Sequence, residues 1–338
     1  MKTQEKVDYI IRNSAEYISS NLFCKEDKLF HRGRNSYLWT LFKYLYQKYK
    51  DPNILYKVQN SLKTYQNCFS INNNEDLILL PGLNNRGNYS TNAIDCGIFL
   101  DCINDLKEIT NIPYELNEGA KEIFFKYAFK KLKNFSPIHN QYLWLLTGFS
   151  RCINDFVKEN KTLYIELVLE IINYFYSENQ SDGSCSYSKL SDDLNHITTY
   201  YHSRCLAFAS YSINNISLVN RKFEDYFLKG AYFLAKMYKD DGIKSLSLET
   251  KRYYFHNNFE VASSSYDIYV FEKAYYLSGE NQWLELSSKC IDNIYQNTNK
   301  NGALKSNKDG EYHDWQCNIM RTTHNAWLTK LSEDFLTK

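Results

Sequence analysis

The sequence predicts an all-α protein, a single (α/α)6 toroid of about twelve helices that spans residues 1–338. Three observations lead to this prediction. Apolar residues recur at helical spacing along nearly the whole chain, strand-like segments are scarce, and similar loops return at a nearly constant interval. The chain holds only 4 Pro and 12 Gly, and these fall between the periodic segments. We see no boundary between domains.

Eleven periodic segments and one weaker segment near 53–67 make up the twelve helices. The eleven read "VDYIIRNSAEYISS", "YLWTLFKYLYQKY", "AIDCGIFLDCINDL", "IFFKYAFKKL", "YLWLLTGFSRCI", "LYIELVLEIINYFY", "CLAFASYSI", "FEDYFLKGAYFLAKMY", "YDIYVFEKAYYLS", "WLELSSKCIDNIY" and "NAWLTKLSEDFL". The best strand candidate is the short segment "DLILL" at 76–80. The chain is therefore predicted to be helical nearly throughout.

Three loops share an Asp-Gly or Asn-Gly turn followed by alternating small and apolar residues. They read "SDGSCSYS" (181–188), "DDGIKSLS" (240–247) and "KNGALKSN" (300–307), with glycines at Gly183, Gly242 and Gly302. Glycine suits such turns because it adopts a positive φ without a steric penalty. A spacing near 60 residues fits two helices and two loops, so six hairpins use the whole chain. An open solenoid would repeat a shorter consensus, of about 34 to 47 residues.

The charge pattern separates inner helices from outer ones. "YLWLLTGFSRCI" and "HSRCLAFASYSI" carry little charge, whereas "EGAKEIFFKYAFKKLKNF" and "RKFEDYFLKGAYFLAKMYKDD" are heavily charged. A helix with little charge on any face suits the inside of a ring, and a charged face suits the outside. The second helix of each hairpin is therefore predicted to be the inner one. These inner helices are predicted to begin near Asn35, Asn92, Asn140, Tyr200, Asn258 and Arg321.

The amino-acid composition limits the classes of partner and the compartment that suit this protein. With 40 basic and 39 acidic residues the net charge is +1, which does not suit nucleic acid, whose phosphates require a basic excess. The nine cysteines are scattered and form no C-x-x-C pair, which favours buried thiols in a reducing compartment. The charged N-terminus and the lack of a long apolar window favour a cytoplasmic protein without a membrane span. Neither a metal nor a cofactor is predicted, and the oligomeric state is left open.

Polar residues gather where the six inner helices begin. The six stretches read "HRGRNSYLW", "RGNYSTNAIDCG", "HNQYLW", "TTYYHSR", "YYFHNNFEVASSSYD" and "YHDWQCNIMRTTHNAW", and they hold six of the seven histidines. In a closed ring these six starts meet at one end, where helix N-termini attract anions. Each residue also has a simpler interpretation. An asparagine there can cap its helix, a single histidine is more often structural, and Trp39, Trp144 and Trp327 suit a core.

A chain-long run of twelve helices, with Asp-Gly turns leading to polar-headed inner helices, resembles the (α/α)6 toroid enzymes. That group includes polysaccharide lyases of the alginate and heparin type, unsaturated glucuronyl hydrolases, sugar 2-epimerases and, with a related toroid, terpenoid cyclases. The resemblance covers the whole chain and is one of architecture, which does not by itself give a function. The cyclase motifs D-x-D-D and D-D-x-x-D are absent, and so is an adjacent Cys-His pair.

The members of this group need different residues. A glycoside hydrolase needs two carboxylates that flank the bond. The candidates are Asp95, Glu260, Asp267 and Asp314, with Asp192 and Asp193 in a loop. A uronate lyase needs groups that stabilise an enolate-like intermediate and a Tyr or His that moves protons. An epimerase needs two acid–base groups on opposite faces, for which His202 and His324 are suitable. Five arginines near the helix starts, at 32, 34, 86, 204 and 321, suit carboxylates.

We therefore predict an enzyme that acts on an acidic carbohydrate, either a uronic-acid-type oligosaccharide or a precursor of a surface polysaccharide. The reaction is lyase-type or epimerase-type proton transfer, or hydrolysis. The predicted catalytic residues are Tyr201, His202 and His324. The predicted substrate-binding residues are Arg204, Asn140, Asn257, Asn258, Glu260, Tyr266, Asp314, Trp315, Arg321 and Asp95. Two alternatives stay open: a non-catalytic helical module that binds a glycan or a protein in polysaccharide biosynthesis, and a terpenoid-cyclase-like toroid.

Overall fold

A computed structural model gives the structure of most of the chain. It describes residues 2–23, 35–66, 70–71, 78–79, 89–134, 138–179, 181–185, 196–218, 220–238, 247–249, 261, 264–305 and 322–330. The structural statements below concern these residues.

Twelve helices account for most of the described residues. They are α1 (Thr3–Phe23), α2 (Tyr37–Tyr49), α3 (Pro52–Gln66), α4 (Tyr89–Lys107), α5 (114–133), α6 (His139–Phe156), α7 (Lys161–Ser177), α8 (Thr199–Asn215), α9 (Arg221–Lys236), α10 (Ser264–Ser278), α11 (Gln282–Gln296) and α12 (322–330). Helix α5 contains a π-helical stretch, Ile123–Ala128, and α12 includes a 3-10 turn, Thr323–Ala326. The predicted helices are confirmed, including the weak segment near 53–67.

The even-numbered helices form a closed inner ring. Each packs against the next even-numbered helix, and α12 packs against α2 to close the circle; outside it, α11 packs against α1. Inner α6 buries 14 of its 18 residues, whereas outer α9 buries only 6 of 16. This difference is what the charge pattern predicted, because an inner helix is covered on every side. The chain is thus an all-α (α/α)6 toroid.

The Gly turns occur where the period predicted them. Gly183 follows α7 with φ 87°, and Gly302 follows α11 with φ 86°. A β-carbon on Gly183 would lie 2.5 Å from the Lys229 carbonyl oxygen, and one on Gly302 would lie 2.1 Å from that of Asn13. Each turn therefore lies directly on the backbone of an outer helix of another hairpin, and only glycine meets both requirements. Gly242 lies outside the described residues.

Four short strands lie in the connections that lead to inner helices. The strands β1 (Ser70–Ile71) and β2 (Ile78–Leu79) pair antiparallel before α4. The strands β3 (His196–Thr198) and β4 (Ser247–Glu249) pair antiparallel before α8 and α10, with His196 opposite Glu249. Strand β2 confirms the candidate at 76–80, and the other three strands were not predicted. These pairs mark the end of the ring at which the inner helices begin, which we call the mouth.

A buried ion network fills the ring at the opposite end. The ammonium of Lys330, which is 0% exposed, lies 3.1 Å from Asp101 and 3.0 Å from Asp105. Arg151 reaches the same Asp105 carboxylate at 2.6 Å, and Lys43 lies 3.4 Å from it. Burial alone would raise the pKa of Asp105, but these three cations outweigh it and hold the pKa well below its usual range. The network joins α2, α4, α6 and α12.

Candidate functional site

Side chains from four inner helices meet around Arg204 at the mouth. Its guanidinium carbon lies 5.4 Å from the ring centre of Tyr266, 5.7 Å from that of Trp144 and 5.8 Å from that of Tyr201. His324 completes the group, which therefore draws on α6, α8, α10 and α12. We call these five residues the Arg204 cluster. Three of its aromatic faces surround one cation, an arrangement in which the ring quadrupoles stabilise the positive charge.

Arg204 and His324 form a polar pair inside this cluster. The guanidinium Nη2 lies 3.4 Å from Nδ1 of His324, whose side chain is 4% exposed. A guanidinium can only donate a hydrogen bond, so Nδ1 must accept it and the imidazole is neutral, with its proton on Nε2. The ring of His324 is held between Tyr266, at 5.3 Å, and Trp144, at 6.1 Å. The site thus combines a permanent cation with a neutral, oriented imidazole.

Helix geometry explains why Tyr201 and Arg204 act together. They stand three residues apart in the first turns of α8, so they share one face of that helix. Both are only partly buried, unlike their neighbours His202, Ser203 and Cys205. This face of α8 is consequently the most accessible part of the cluster for solvent and for a ligand.

A fixed aromatic layer lies beneath the cluster. The indole Nε1 of Trp144 donates to the hydroxyl of Tyr37 at 3.0 Å, and Nε1 of Trp327 donates to the same oxygen at 2.8 Å. The Trp327 ring in turn packs against Tyr266 at 5.1 Å and Phe208 at 5.2 Å. Burial raises the pKa of Tyr37 well above its ordinary value, so its hydroxyl stays protonated. The rings that touch Arg204 are therefore packed against a layer of buried aromatic residues.

The structure places His202 apart from this cluster. Its Nδ1 accepts from the Cys185 N–H at 3.2 Å, its Nε2 lies 2.9 Å from the Gly230 carbonyl, and its ring packs against Phe233 of α9. Burial lowers the pKa of His202 to about 4, although the Gly230 bond and, after it, the charge of Asp182 act in the opposite direction. Proton transfer at His202 would have to break one of these two bonds. The contacts are those of a clamp between α8, the Gly183 turn and α9.

Other predicted residues lie in separate surroundings. Asn140 is the second residue of α6 and is buried, and Asp95 is fully buried within α4. Burial and, after it, the charge of Asp95 raise the pKa of the neighbouring Cys96 thiol. The remaining predicted residues Asn257, Asn258, Glu260, Asp314, Trp315 and Arg321 lie outside the described residues. The structure thus brings together Tyr201, Arg204, Tyr266 and His324.

Tyr37 is not among the residues predicted from the sequence, and the sequence predicts Trp144 and Trp327 as core residues. Both tryptophans are buried, but Trp144 also forms one wall around Arg204. A signal existed: "NSYLW" at 35–39 and "NQYLW" at 140–144 repeat one pattern at the starts of two inner helices. The repeated pattern marks equivalent positions in the ring, but it does not show which rings face the centre.

Three further observations concern the described part of the chain. It contains no group of three His, Cys, Asp or Glu side chains arranged to hold a metal ion. Nor does any of its helices combine the length and the apolar character that crossing a bilayer requires. The six cysteines described there are buried and are not disulfide-bonded.

Comparison with known proteins identifies the fold. No protein-family model and no curated protein sequence matches the chain. Among solved structures, a cellobiose 2-epimerase from Bacillus thermoamylovorans is similar with a TM-score of 0.67 and 12% identity, over 88% of this chain and 87% of that one. An unsaturated glucuronyl hydrolase from Streptococcus agalactiae gives 0.64 and 11%, over 98% and 93%. A polysaccharide lyase also gives 0.64 and 11%, over 98% of both chains. The chain therefore has the toroid fold of these carbohydrate-active enzymes.

Proposed function

We propose that this protein is an enzyme that acts on an acidic, uronic-acid-type oligosaccharide at the mouth of the ring. The observation that carries the proposal is the Arg204 cluster, in which a cation and a neutral imidazole stand 3.4 Å apart among aromatic rings. The structures that share the fold include an unsaturated glucuronyl hydrolase complexed with the disaccharide dGlcA-GalNAc6S, a polysaccharide lyase and sugar epimerases. Their names support the choice of substrate class.

Arg204 would bind the carboxylate of the sugar. A guanidinium offers two parallel N–H groups that match the two oxygens of a carboxylate, which a lysine cannot do. The partly buried Tyr201 would pack against the apolar face of the sugar ring. A neutral sugar would fill the same space without satisfying the guanidinium, so the cluster selects for acidic residues.

The reaction that suits this cluster is proton transfer at the carbon next to the carboxylate. A base removes that proton, the electron pair moves towards the carboxylate, and Arg204 stabilises the developing negative charge. Once the carboxylate takes the N–H groups of Arg204, Nδ1 of His324 is released to accept the proton. Tyr201 then donates a proton, either to the departing oxygen in an elimination or to the opposite face of the same carbon in an epimerisation.

Proton transfer has more support than hydrolysis. Hydrolysis requires two carboxylates placed on either side of the glycosidic bond. Of the four carboxylates predicted near the helix starts, Asp95 and Asp267 are described, and both are fully buried. Asp267 accepts a bond of 2.6 Å from Tyr238, which follows the outer helix α9. The proposal includes a reducing compartment, in keeping with the buried thiols, and thus a cytoplasmic enzyme.

The test compares the Arg204→Lys variant with the wild-type protein on saturated glucuronate-containing di- to tetrasaccharides, whose uronate carries the proton that is to be removed. We expect the variant to lose at least about tenfold in kcat/KM, because a lysine keeps the positive charge but lacks the two parallel N–H donors of the guanidinium. Arg221→Lys, an exposed position on α9, is the matched control and should behave as wild type. Carboxyl-reduced sugars should be poor substrates of the wild-type protein.

Three readouts separate the reactions. Ultraviolet absorption of an unsaturated product reports elimination, a new diastereomer by NMR reports epimerisation, and released reducing ends without absorption report hydrolysis. Binding without any product would leave a glycan-binding module and overturn the enzymatic half of the proposal. If the wild-type protein has the same kcat/KM for acidic and carboxyl-reduced sugars, the proposed role of Arg204 in binding the carboxylate is overturned.

A further inference from the structure

Tyr37 is the shared acceptor of the two tryptophans beneath the Arg204 cluster. We propose that Tyr37 is a positioning residue of this site, which sets the orientation of the rings that hold Arg204 and His324. The inference rests on the proposed function, because it concerns the same site. Tyr37 itself is 1% exposed and lies in the first turn of α2, and it contributes no side chain to the cluster.

The hydrogen bonds of Tyr37 reach across the ring. Its partner Trp144 belongs to α6, which is not a neighbour of α2 in the inner circle, and its partner Trp327 belongs to α12, which is a neighbour. A phenolic oxygen has two lone pairs, and each of them faces one indole N–H here. One hydroxyl therefore fixes two large rings from different helices relative to each other.

Those two rings carry the cluster. Trp144 lies 5.7 Å from the Arg204 guanidinium carbon and 6.1 Å from the His324 ring, while Trp327 lies 5.1 Å from the Tyr266 ring. Without the hydroxyl, two buried N–H groups would lose their acceptor together. A buried donor without an acceptor is unfavourable, so the indoles would turn to find new partners. A turn of either ring displaces the guanidinium or the imidazole that rests on it.

Another buried tryptophan provides a matched comparison. The indole Nε1 of Trp39 donates to the Ser61 hydroxyl at 2.9 Å, and both residues are buried. This bond joins α2 to the outer helix α3 and is not part of the Arg204 cluster. Ser61→Ala therefore removes one buried indole acceptor without touching the rings that hold Arg204.

The experiment compares Tyr37→Phe with Ser61→Ala in the full chain. On glucuronate-containing di- to tetrasaccharides, we expect Tyr37→Phe to raise KM about tenfold and to lower kcat as well, because the displaced Arg204 and His324 act both in binding and in the proton transfer. Ser61→Ala should leave both constants unchanged while lowering the melting temperature. In protein labelled with ¹⁵N in its five indoles, Tyr37→Phe should shift the Trp144 and Trp327 signals, and Ser61→Ala only that of Trp39.

The outcomes separate this inference from the proposed function. If the wild-type protein binds no acidic sugar, the proposed function fails, while the indole signals still report whether Tyr37 orients both rings. If Tyr37→Phe leaves KM unchanged or fails to shift both signals, the positioning role is overturned. Should Tyr37→Phe not fold, Trp327→Phe removes one of the two bonds and keeps an aromatic ring. It should raise KM several-fold, and an unchanged KM would overturn the inference.

Discussion

His202 and Thr322 occupy equivalent positions in the fourth and sixth hairpins. The N–H of Cys185, two residues after Gly183, donates to His202 at 3.2 Å; the N–H of Leu304, two residues after Gly302, donates to Thr322 at 3.2 Å. In both hairpins the turn after an outer helix is thus fastened by a side chain at the start of an inner helix. A threonine accepts the turn N–H in one hairpin and a histidine accepts it in the other, which indicates that the residue at this position has a structural role.

The clamp predicts a pH dependence of stability. Because burial lowers the pKa of His202 to about 4 from 6.5, the folded state binds this proton less readily than the unfolded state. The contribution is fully present above pH 6.5 and is lost as the pH falls towards 4, by up to about 3 kcal/mol. Guanidinium unfolding of wild type and His202→Gln between pH 7 and 4 should show a flatter curve for the variant.

Kinetic measurements should distinguish His202 from His324, the two histidines that the sequence predicted as catalytic residues. We expect folded His202→Gln to keep its kcat on acidic oligosaccharides within about twofold of wild type at pH 7. His324→Gln should lose at least about a hundredfold while keeping the wild-type pH profile of stability. Loss of kcat in both variants, at unchanged stability, would return His202 to the catalytic role predicted from the sequence.

At this scale the sequence could indicate that polar residues meet at the mouth, but not what each touches. The partners of His202 are a backbone N–H 17 residues away and a carbonyl 28 residues away. The Gly183 turn and the packing of α9 against α8 bring them together, and neither leaves a local pattern. The pairing of Arg204 with His324, 120 residues apart, depends on ring closure.

At the scale of elements, periodicity predicted the helices and most of their starts. Four of the six predicted inner starts fall within three residues of the observed ones, at Tyr37, Tyr89, His139 and Thr199. The predicted start near Arg321 lies outside the described residues. The start near Asn258 lies outside the described residues, and α10 begins at Ser264. The π-helical stretch Ile123–Ala128 and three of the strands were missed. A one-residue change of helical register and strands of two or three residues are too short to alter a hydrophobic period.

Helices α4 and α6 approach each other more closely than side chains allow. A β-carbon on Gly148 would lie 2.1 Å from the Gly97 carbonyl oxygen, and one on Gly97 would lie 2.3 Å from that of Trp144. The two glycines let backbone meet backbone, and this contact positions the first two turns of α6. Since Trp144 belongs to those turns, the spacing of the two helices bears directly on the Arg204 cluster.

This contact predicts an asymmetry among glycine substitutions. Gly148→Ala should lower the free energy of unfolding by about 3 kcal/mol, because the added methyl meets rigid backbone and must force the helices apart. Gly230→Ala is the control: its β-carbon would meet the flexible Leu206 side chain at 2.7 Å, which can move. Denaturant unfolding at pH 7 should show a clearly smaller loss for Gly230→Ala. Equal losses would mean that α4 and α6 can separate readily.

At the scale of the whole molecule, the repeated turns predicted the ring, but they gave no account of what closes it. The last described helix, α12, contacts both α10 and α2, so closure brings residues near 330 against residues near 40 and 100. Lys330 stands at that meeting point with Asp101 and Asp105. In the sequence this lysine lies in an ordinary amphipathic run and gives no sign of complete burial.

Closure through Lys330 gives a prediction for the stability of the entire fold. Lys330→Met would leave Asp101 and Asp105 buried with less positive charge beside them, and breaking a buried ion pair typically lowers the free energy of unfolding by about 3–5 kcal/mol. Lys107→Met is the control, because Lys107 pairs with Asp155 at 2.8 Å on the surface. Such exposed pairs contribute about 1 kcal/mol or less. Denaturant unfolding at pH 7 should separate the two variants clearly.

The pH dependence of stability in acid provides a second check. Asp105, whose pKa is held below 3.8, stabilises the fold above that pH, and this stabilisation is lost as the pH falls. In Lys330→Met the Asp105 pKa should lie closer to 3.8, because one of the three cations that hold it down is gone, so the loss of stability below pH 3.8 should be smaller than in the wild-type protein and complete at a higher pH. If Lys330→Met is as stable as Lys107→Met, aromatic packing alone closes the ring.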